Sequence, residues 1–145
     1  TSERNQTNIE ILFNKSNAIW SQANITFELN SISFVDMETN LMKDIWKNPS
    51  EKIKSLQNFD SNSVNVIFIK NMSVNGIAYP EVNSVFMPDK TSNREQVALA
   101  HELGHILGLE HRPNDDYLMF SFCNGTKVSF YEIRTARKVA KELFE

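Results

Sequence analysis

His101–His111 reads HELGHILGLEH, and this stretch decides how the rest of the chain is read. His101 and His105 are four residues apart, so on an α-helix both imidazoles leave the same face, one turn above the other. That spacing makes a two-toothed metal clamp. Zinc takes imidazole nitrogen, and a catalytic zinc site uses three protein ligands and leaves one tetrahedral position open. Gly108, three residues past His105, supplies the left-handed turn that stops a helix and folds the chain back. His111 then reaches the metal as the third ligand. The chain has three histidines in all, and all three fall in this stretch.

Glu102 points about 100° around the helix from His101, near the metal but off the ligand line. It is placed to hold a metal-bound water. Zinc lowers the pKa of its water to about 7, so a carboxylate within hydrogen-bond reach can take the proton at neutral pH. The implied chemistry is attack of hydroxide on a polarised carbonyl, with Glu102 passing the proton to a leaving amine. Leu99, Leu103, Ile106 and Leu107 alone would also suit a plain core helix.

Residues 101–111 match every fixed position of the long zinc signature of the metzincin metallopeptidases, which this chain resembles. A bare H-E-x-x-H is a modest signal, whereas the long form with Gly and a third His is specific. The resemblance implies a zinc-dependent metalloendopeptidase with one catalytic Zn2+ held by His101, His105 and His111, and Glu102 as general base. It implies that Met119, the one methionine downstream of His111, forms the Met-turn beneath the metal. A Met beside Leu118 and Phe120 would otherwise read as core filler. The implied fold is α+β: a twisted, mostly parallel sheet with an antiparallel edge strand, packed on an N-terminal helix and the zinc helix. A small C-terminal subdomain with a closing helix completes it. The whole chain, 1–145, is expected to be one catalytic domain, with an upper subdomain 1–108 and a lower one 109–145 facing each other across the cleft. Secretion is likewise implied only by the resemblance.

Composition sets the remaining bounds. With 145 residues, 41% hydrophobic and 23% charged, the chain is long enough for one core and too apolar for disorder. A net charge of −3 without a basic tract gives nucleic acid and anionic membranes nothing to bind. No apolar run reaches membrane-spanning length. Cys123 is the one cysteine, which excludes an intramolecular disulfide; it reads as a small core residue, with ligation of zinc as a latency switch the other reading. The polar opening Thr1-Ser2-Glu3-Arg4 is what a mature or trimmed form is expected to show. A monomer acting on peptide or protein substrates is expected.

From the N-terminus, Thr7-x-x-Glu10 reads as a capping box, and Ile9, Leu12, Phe13, Ile19, Trp20 and Ala23 follow at helical spacing over about 8–23. Ile25, Phe27 and Leu29 alternate with polar residues, and Ile32, Phe34 and Val35 resume on a shifted phase, which predicts a strand with a bulge. Leu41, Met42, Ile45, Trp46, Ile53 and Leu56 fit short helices broken at Asn48-Pro49. Val64–Ile69, VNVIFI, predicts a strand inside a sheet, and the prolines of 75–88 place that region at an edge. Gly76, Ile77, Ala78 and Tyr79 resemble the edge strand on which matrixins, one metzincin family, bind substrate; an extended peptide would add there as one more strand. An edge blunted by Pro80 is the alternative. Ser92-x-x-Glu95 predicts the cap of a zinc helix over about 93–107. Ser129-x-x-Glu132 does the same for an amphipathic closing helix carrying Ile133, Ala136, Val139, Ala140, Leu143 and Phe144. Asp115 and Asp116 lack calcium-loop spacing and read as a solvated turn.

Several residues depart from the resemblance. No strand signal precedes the first helix, so the sheet is expected to be one strand short. Every histidine is used by the motif, which leaves none for the second, structural zinc of vertebrate matrixins. Arg112 differs from the residue that follows the third ligand in matrixins, astacins, serralysins and adamalysins. Ser121 stands where astacins and serralysins carry a tyrosine. With these departures the resemblance stops at the metzincin clan, or at a matrixin-like minimal catalytic domain of unassigned family. Arg112–Tyr131 is the segment that would wall the pocket beside the metal; of its Tyr117, Phe120, Phe122 and Phe130 some are expected to fill the small lower core, and their aromatic content suggests an apolar or aromatic residue after the scissile bond. The alternatives to a peptidase are a catalytically weak, zinc-dependent peptide-binding module and a hydrolase of small amides.

Overall fold

The computed structural model describes residues 2–35 and 41–144. The order is α1 (Gln6–Trp20), α2 (Leu41–Lys47), α3 (Pro49–Lys54), β1 (Asn65–Ile69), β2 (Ile77–Tyr79), β3 (Ser84–Pro88), α4 (Glu95–Ile106) and α5 (Phe130–Phe144), with 3-10 turns at Ser21–Ala23 and Pro80–Val82. The fold is α+β, as expected.

α1 begins two residues earlier than the Thr7 box implies. Asn5 is the N-cap: its side chain accepts from the Asn8 N–H at 2.9 Å, and Asn8 reaches back to the Asn5 N–H. Thr7 is then already inside the helix. The face of Ile9, Leu12, Phe13, Ile19 and Trp20 is buried, and α1 lies along α4. Trp20, fully buried, donates from its indole nitrogen to the carbonyl of Ala100 at 3.2 Å, which ties α1 to the turn that precedes His101.

Residues 25–35 belong to no strand, contrary to the alternating pattern. The side-chain amide of Asn17 explains this at Phe27, donating to its carbonyl at 2.9 Å and accepting from its N–H at 2.9 Å. Both main-chain groups that a ladder would use are occupied there. Ile25, Phe27 and Ile32 still pack on the core, so the alternation reports burial without pairing. The break at Asn48-Pro49 separates α2 from α3, with Pro49 in the first turn of α3. Of the residues expected to form these helices, the side chains of Leu41 and Met42 lie outside the described residues, as do residues 36–40 before them.

The sheet is mixed, in the order β1-β3-β2, with β1 parallel and β2 antiparallel to β3. Two expectations change. The apolar strand β1 lies at one edge and is half-buried, because no segment pairs on its outer side among the described residues. The Pro-containing β3 is the central strand, buried at every residue. Pro88 is tolerated because it ends the strand, and the ladder is carried on by the Asp89 N–H donating to the Ile69 carbonyl at 2.8 Å. β2 is the other edge, as expected.

α4 is buried from Val97 through Gly104 and again at Ile106. Its N-cap, Arg94, makes no side-chain capping bond. Ser92 is taken instead by Asn75, whose Oδ1 accepts from its N–H at 2.7 Å and its hydroxyl at 3.0 Å. α5 has its expected cap: the Ser129 N–H donates to Glu132 at 2.8 Å, and the Glu132 N–H donates to the Ser129 hydroxyl at 3.3 Å. Only Ala136 of its apolar stripe is fully buried, and Leu143 and Phe144 are exposed. Leu118, Met119, Cys123, Val128 and Ala136 join Trp20 and Leu107 in one core beneath α4. Among the described residues no helix is long and apolar enough to cross a membrane.

Candidate metal centre

α4 carries His101 and His105 on one face, and its C-terminus delivers His111. The helix closes in a Schellman arrangement: the Leu109 N–H bonds to the Gly104 carbonyl and the Gly108 N–H to that of His105, each at 3.0 Å. Gly108 has φ +77°, the left-handed turn its place in the sequence predicts. The returning chain brings the three Nε2 atoms together, each pair 3.2 Å apart.

That triangle cannot be three hydrogen bonds. His101 Nδ1 lies 2.8 Å from the Leu118 carbonyl and His105 Nδ1 lies 2.9 Å from the Leu109 carbonyl. A carbonyl only accepts, so in both rings the proton is assigned to Nδ1 and the Nε2 lone pair is bare. Two bare lone pairs facing a third ring nitrogen repel unless a cation stands between them. Tetrahedral ligands ~2.05 Å from one zinc stand about 3.3 Å apart. The observed spacing fits such an ion, and the carbonyls of Leu118 and Leu109 orient two of the ligands. No other group of His, Cys, Asp and Glu able to hold a metal is found among the described residues. Burial pushes the His101 pKa down to about 4 and lowers that of His105, so both rings remain neutral donors at neutral pH.

Glu102 is buried, 7% exposed. Burial raises its pKa to about 7, against the opposing hydrogen bond from the Ala78 backbone. The edge strand passes directly over it: a Cβ on Gly76 would stand 2.6 Å from Glu102 Cγ and 3.0 Å from Cδ and Oε1. Gly76 and Ala78 are therefore at the carboxylate. Tyr79 turns away, its ring edge-on to Phe86 with centroids 5.9 Å apart, which leaves only its main chain for the rim. The structure thus brings Gly76, Ala78 and Glu102 together, while the Tyr79 side chain belongs to the core with Ile45, Ile53 and Val82.

Met119 is fully buried directly beneath α4; a Cβ on Gly104, between the two helical histidines, would stand 2.5 Å from its sulfur. Its carbonyl accepts from the Arg112 N–H at 2.8 Å, which fixes the residue after His111. The Arg112 guanidinium stacks over Tyr117 and pairs with buried Glu132 at 3.5 Å. Sequence reasoning missed this brace, although Arg112 as an unexpected residue was its only visible sign. The aromatic segment also resolves: Phe122 and Phe130 are exposed, and Tyr117 and Phe120 are half-buried. None of these four is in the lower core, where Cys123 sits as expected. Asp115 and Asp116 form an exposed turn whose Asp116 carbonyl accepts from Thr126 and Lys127.

No curated protein and no solved structure matches the chain. The matrixin family model matches residues 2–138. With that span and the three converging histidines of its zinc signature, the chain belongs to the matrixin family of zinc metallopeptidases.

Proposed function

We propose that the chain is a zinc-dependent endopeptidase in which His101, His105 and His111 hold one Zn2+ and Glu102 is the general base. The observation that carries this reading is the triangle of Nε2 atoms 3.2 Å apart, with the buried Glu102 carboxylate on the same helix. Bound there, zinc supplies a Lewis acid that polarises the scissile carbonyl and acidifies the attacking water. Glu102 takes the proton from that water and gives it to the amine nitrogen as the peptide bond breaks. Met119 is the floor of the site, its sulfur against Gly104. Gly76–Tyr79, half-buried along the β2 edge of the sheet, receives an extended peptide through main-chain hydrogen bonds, which ask little of its sequence. The cleft lies between residues 1–108 above and 109–145 below, and the exposed Phe122 and half-buried Tyr117 and Phe120 favour an apolar side chain after the scissile bond. A secreted monomer acting on protein substrates is the working form.

The test is cleavage of casein by the purified chain, with metal content measured on the same sample and a chelator control. One zinc per chain with chelator-sensitive cleavage supports the assignment. Glu102→Gln keeps the zinc and removes most of the activity, because the water loses its base. An active, zinc-loaded Glu102→Gln protein overturns the role of Glu102, and full metal affinity in His111→Ala overturns the third ligand.

A further inference from the structure

We propose that Gly76 is a positioning residue for Glu102: its missing side chain is the space into which Glu102 must fit to reach the metal centre. As a role in catalysis, this rests on the reading of Glu102 as general base. The backbone does not require glycine at this position, since Gly108 is the only glycine with positive φ among the described residues. Space requires it. A Cβ at 76 would lie 2.6 Å from Glu102 Cγ, where ordinary contacts begin near 3.4 Å.

The two sides of this contact differ in freedom. Asn75, the preceding residue, is pinned to the loop before α4 by its two bonds from Ser92. The following residues, Ile77–Tyr79, are paired to β3. The rim is thus held on both sides of Gly76. On the other side, Cγ is the second carbon of a side chain whose root is fixed in a buried helix. Relief comes most readily by turning the Glu102 side chain about its first torsion, which swings the carboxylate away from its place against Gly76 and Ala78. The Ala78 backbone bond to the same carboxylate would be lost with it.

Gly76→Ala is therefore expected to keep its zinc and its KM while kcat falls about 10²-fold, the cost of misplacing a catalytic group by roughly 1 Å. A second measurement needs no activity. In metal-free protein, urea unfolding is compared for the parent, Gly76→Ala, Glu102→Ala and the double variant. Gly76→Ala lowers the midpoint in the parent and leaves it unchanged in the Glu102→Ala background, where the colliding side chain is gone. Equal losses in both backgrounds, or an unchanged kcat in Gly76→Ala, overturn the proposal. Should Gly76→Ala fail to fold, folding of the double variant supports the proposal and failure of both overturns it. An inactive parent would defeat the peptidase reading, while the urea cycle would still decide whether Gly76 makes room for Glu102.

Discussion

Glu102→Gln in the metal-free protein separates the charge of the Glu102 carboxyl from the fold that buries it. Burial raises the pKa of Glu102 from 4.5 to about 7, and the residue is only 7% exposed. In the unfolded chain it ionises near 4.5. Between these values the folded state holds a proton that the unfolded state has lost, so stability falls as pH rises through the window. Below about 4.5 the carboxyl is neutral in both states and costs nothing by this route. Above about 7 the folded protein must bury a charge. At about 1.4 kcal/mol for each pH unit, the displacement corresponds to about 3 kcal/mol. Glutamine has nearly the same shape and no charge, so the variant escapes this cost. Relative to the parent, it should gain about 3 kcal/mol between pH 4.5 and pH 8. Contributions from His101 and His105 are common to both proteins and cancel in the comparison. Urea denaturation of EDTA-treated samples across this range measures the difference directly. A stability difference that does not change with pH would refute the reasoning.

Activity should respond to the same group with the metal present. A bound dication favours the ionised carboxylate, so the acid limb of kcat/KM should lie below 7; a limb at or above 7 would mean that the ion does not act on Glu102. Arg112→Met should preserve packing on Tyr117 but leave Glu132 Oε1 buried without its cation, costing about 1–3 kcal/mol in unfolding experiments. An unchanged midpoint would show that the 3.5 Å pair contributes nothing. Gly125→Ala should destabilise by about 1–3 kcal/mol, because its Cβ would meet the backbone of Asp115 and Asp116 and not a side chain that can yield. Thermal unfolding at the parent's midpoint or above would contradict it.

The features legible in the sequence are those written in local spacing. The period of α1 and α4, the Gly108 stop, the Ser129–Glu132 cap and the three histidines each depend on residues within a turn or two of one another. Errors came where a distant side chain competed for the same backbone. Asn17 takes both main-chain groups of Phe27, and the expected strand over 25–35 is not formed. Asn75 takes Ser92 away from the helix it was expected to cap. At α1 two overlapping capping pairs were available, and the Asn5–Asn8 pair formed in place of Thr7–Glu10. β1 looked central because VNVIFI is apolar at every position but Asn65; burial of a strand depends on what covers it, which its own residues do not state. At the site, the convergence of the three histidines was readable by spacing, whereas the carbonyls of Leu109 and Leu118 that orient two imidazoles carry no sequence signal, since any residue has one.

The site combines two arrangements that are unfavourable by themselves and that one bound cation would relieve together. Three ring nitrogens stand 3.2 Å apart, two of them with bare lone pairs because backbone carbonyls hold their protons on the far side of the ring. On the same helix the Glu102 carboxyl is buried, which raises its pKa to about 7. Placed among the nitrogens, a dication satisfies the lone pairs and supplies the opposite charge that Glu102 lacks. Neither feature stabilises the fold alone, and well-packed apolar residues would serve the core better. The surrounding structure compensates for them with Trp20, Met119 and Leu118 fully buried against or beneath α4. Local choices that disagree with stability concentrate where a protein binds and reacts, and here they converge on one point at the end of α4, under the edge strand that Gly76 brings within contact of Glu102.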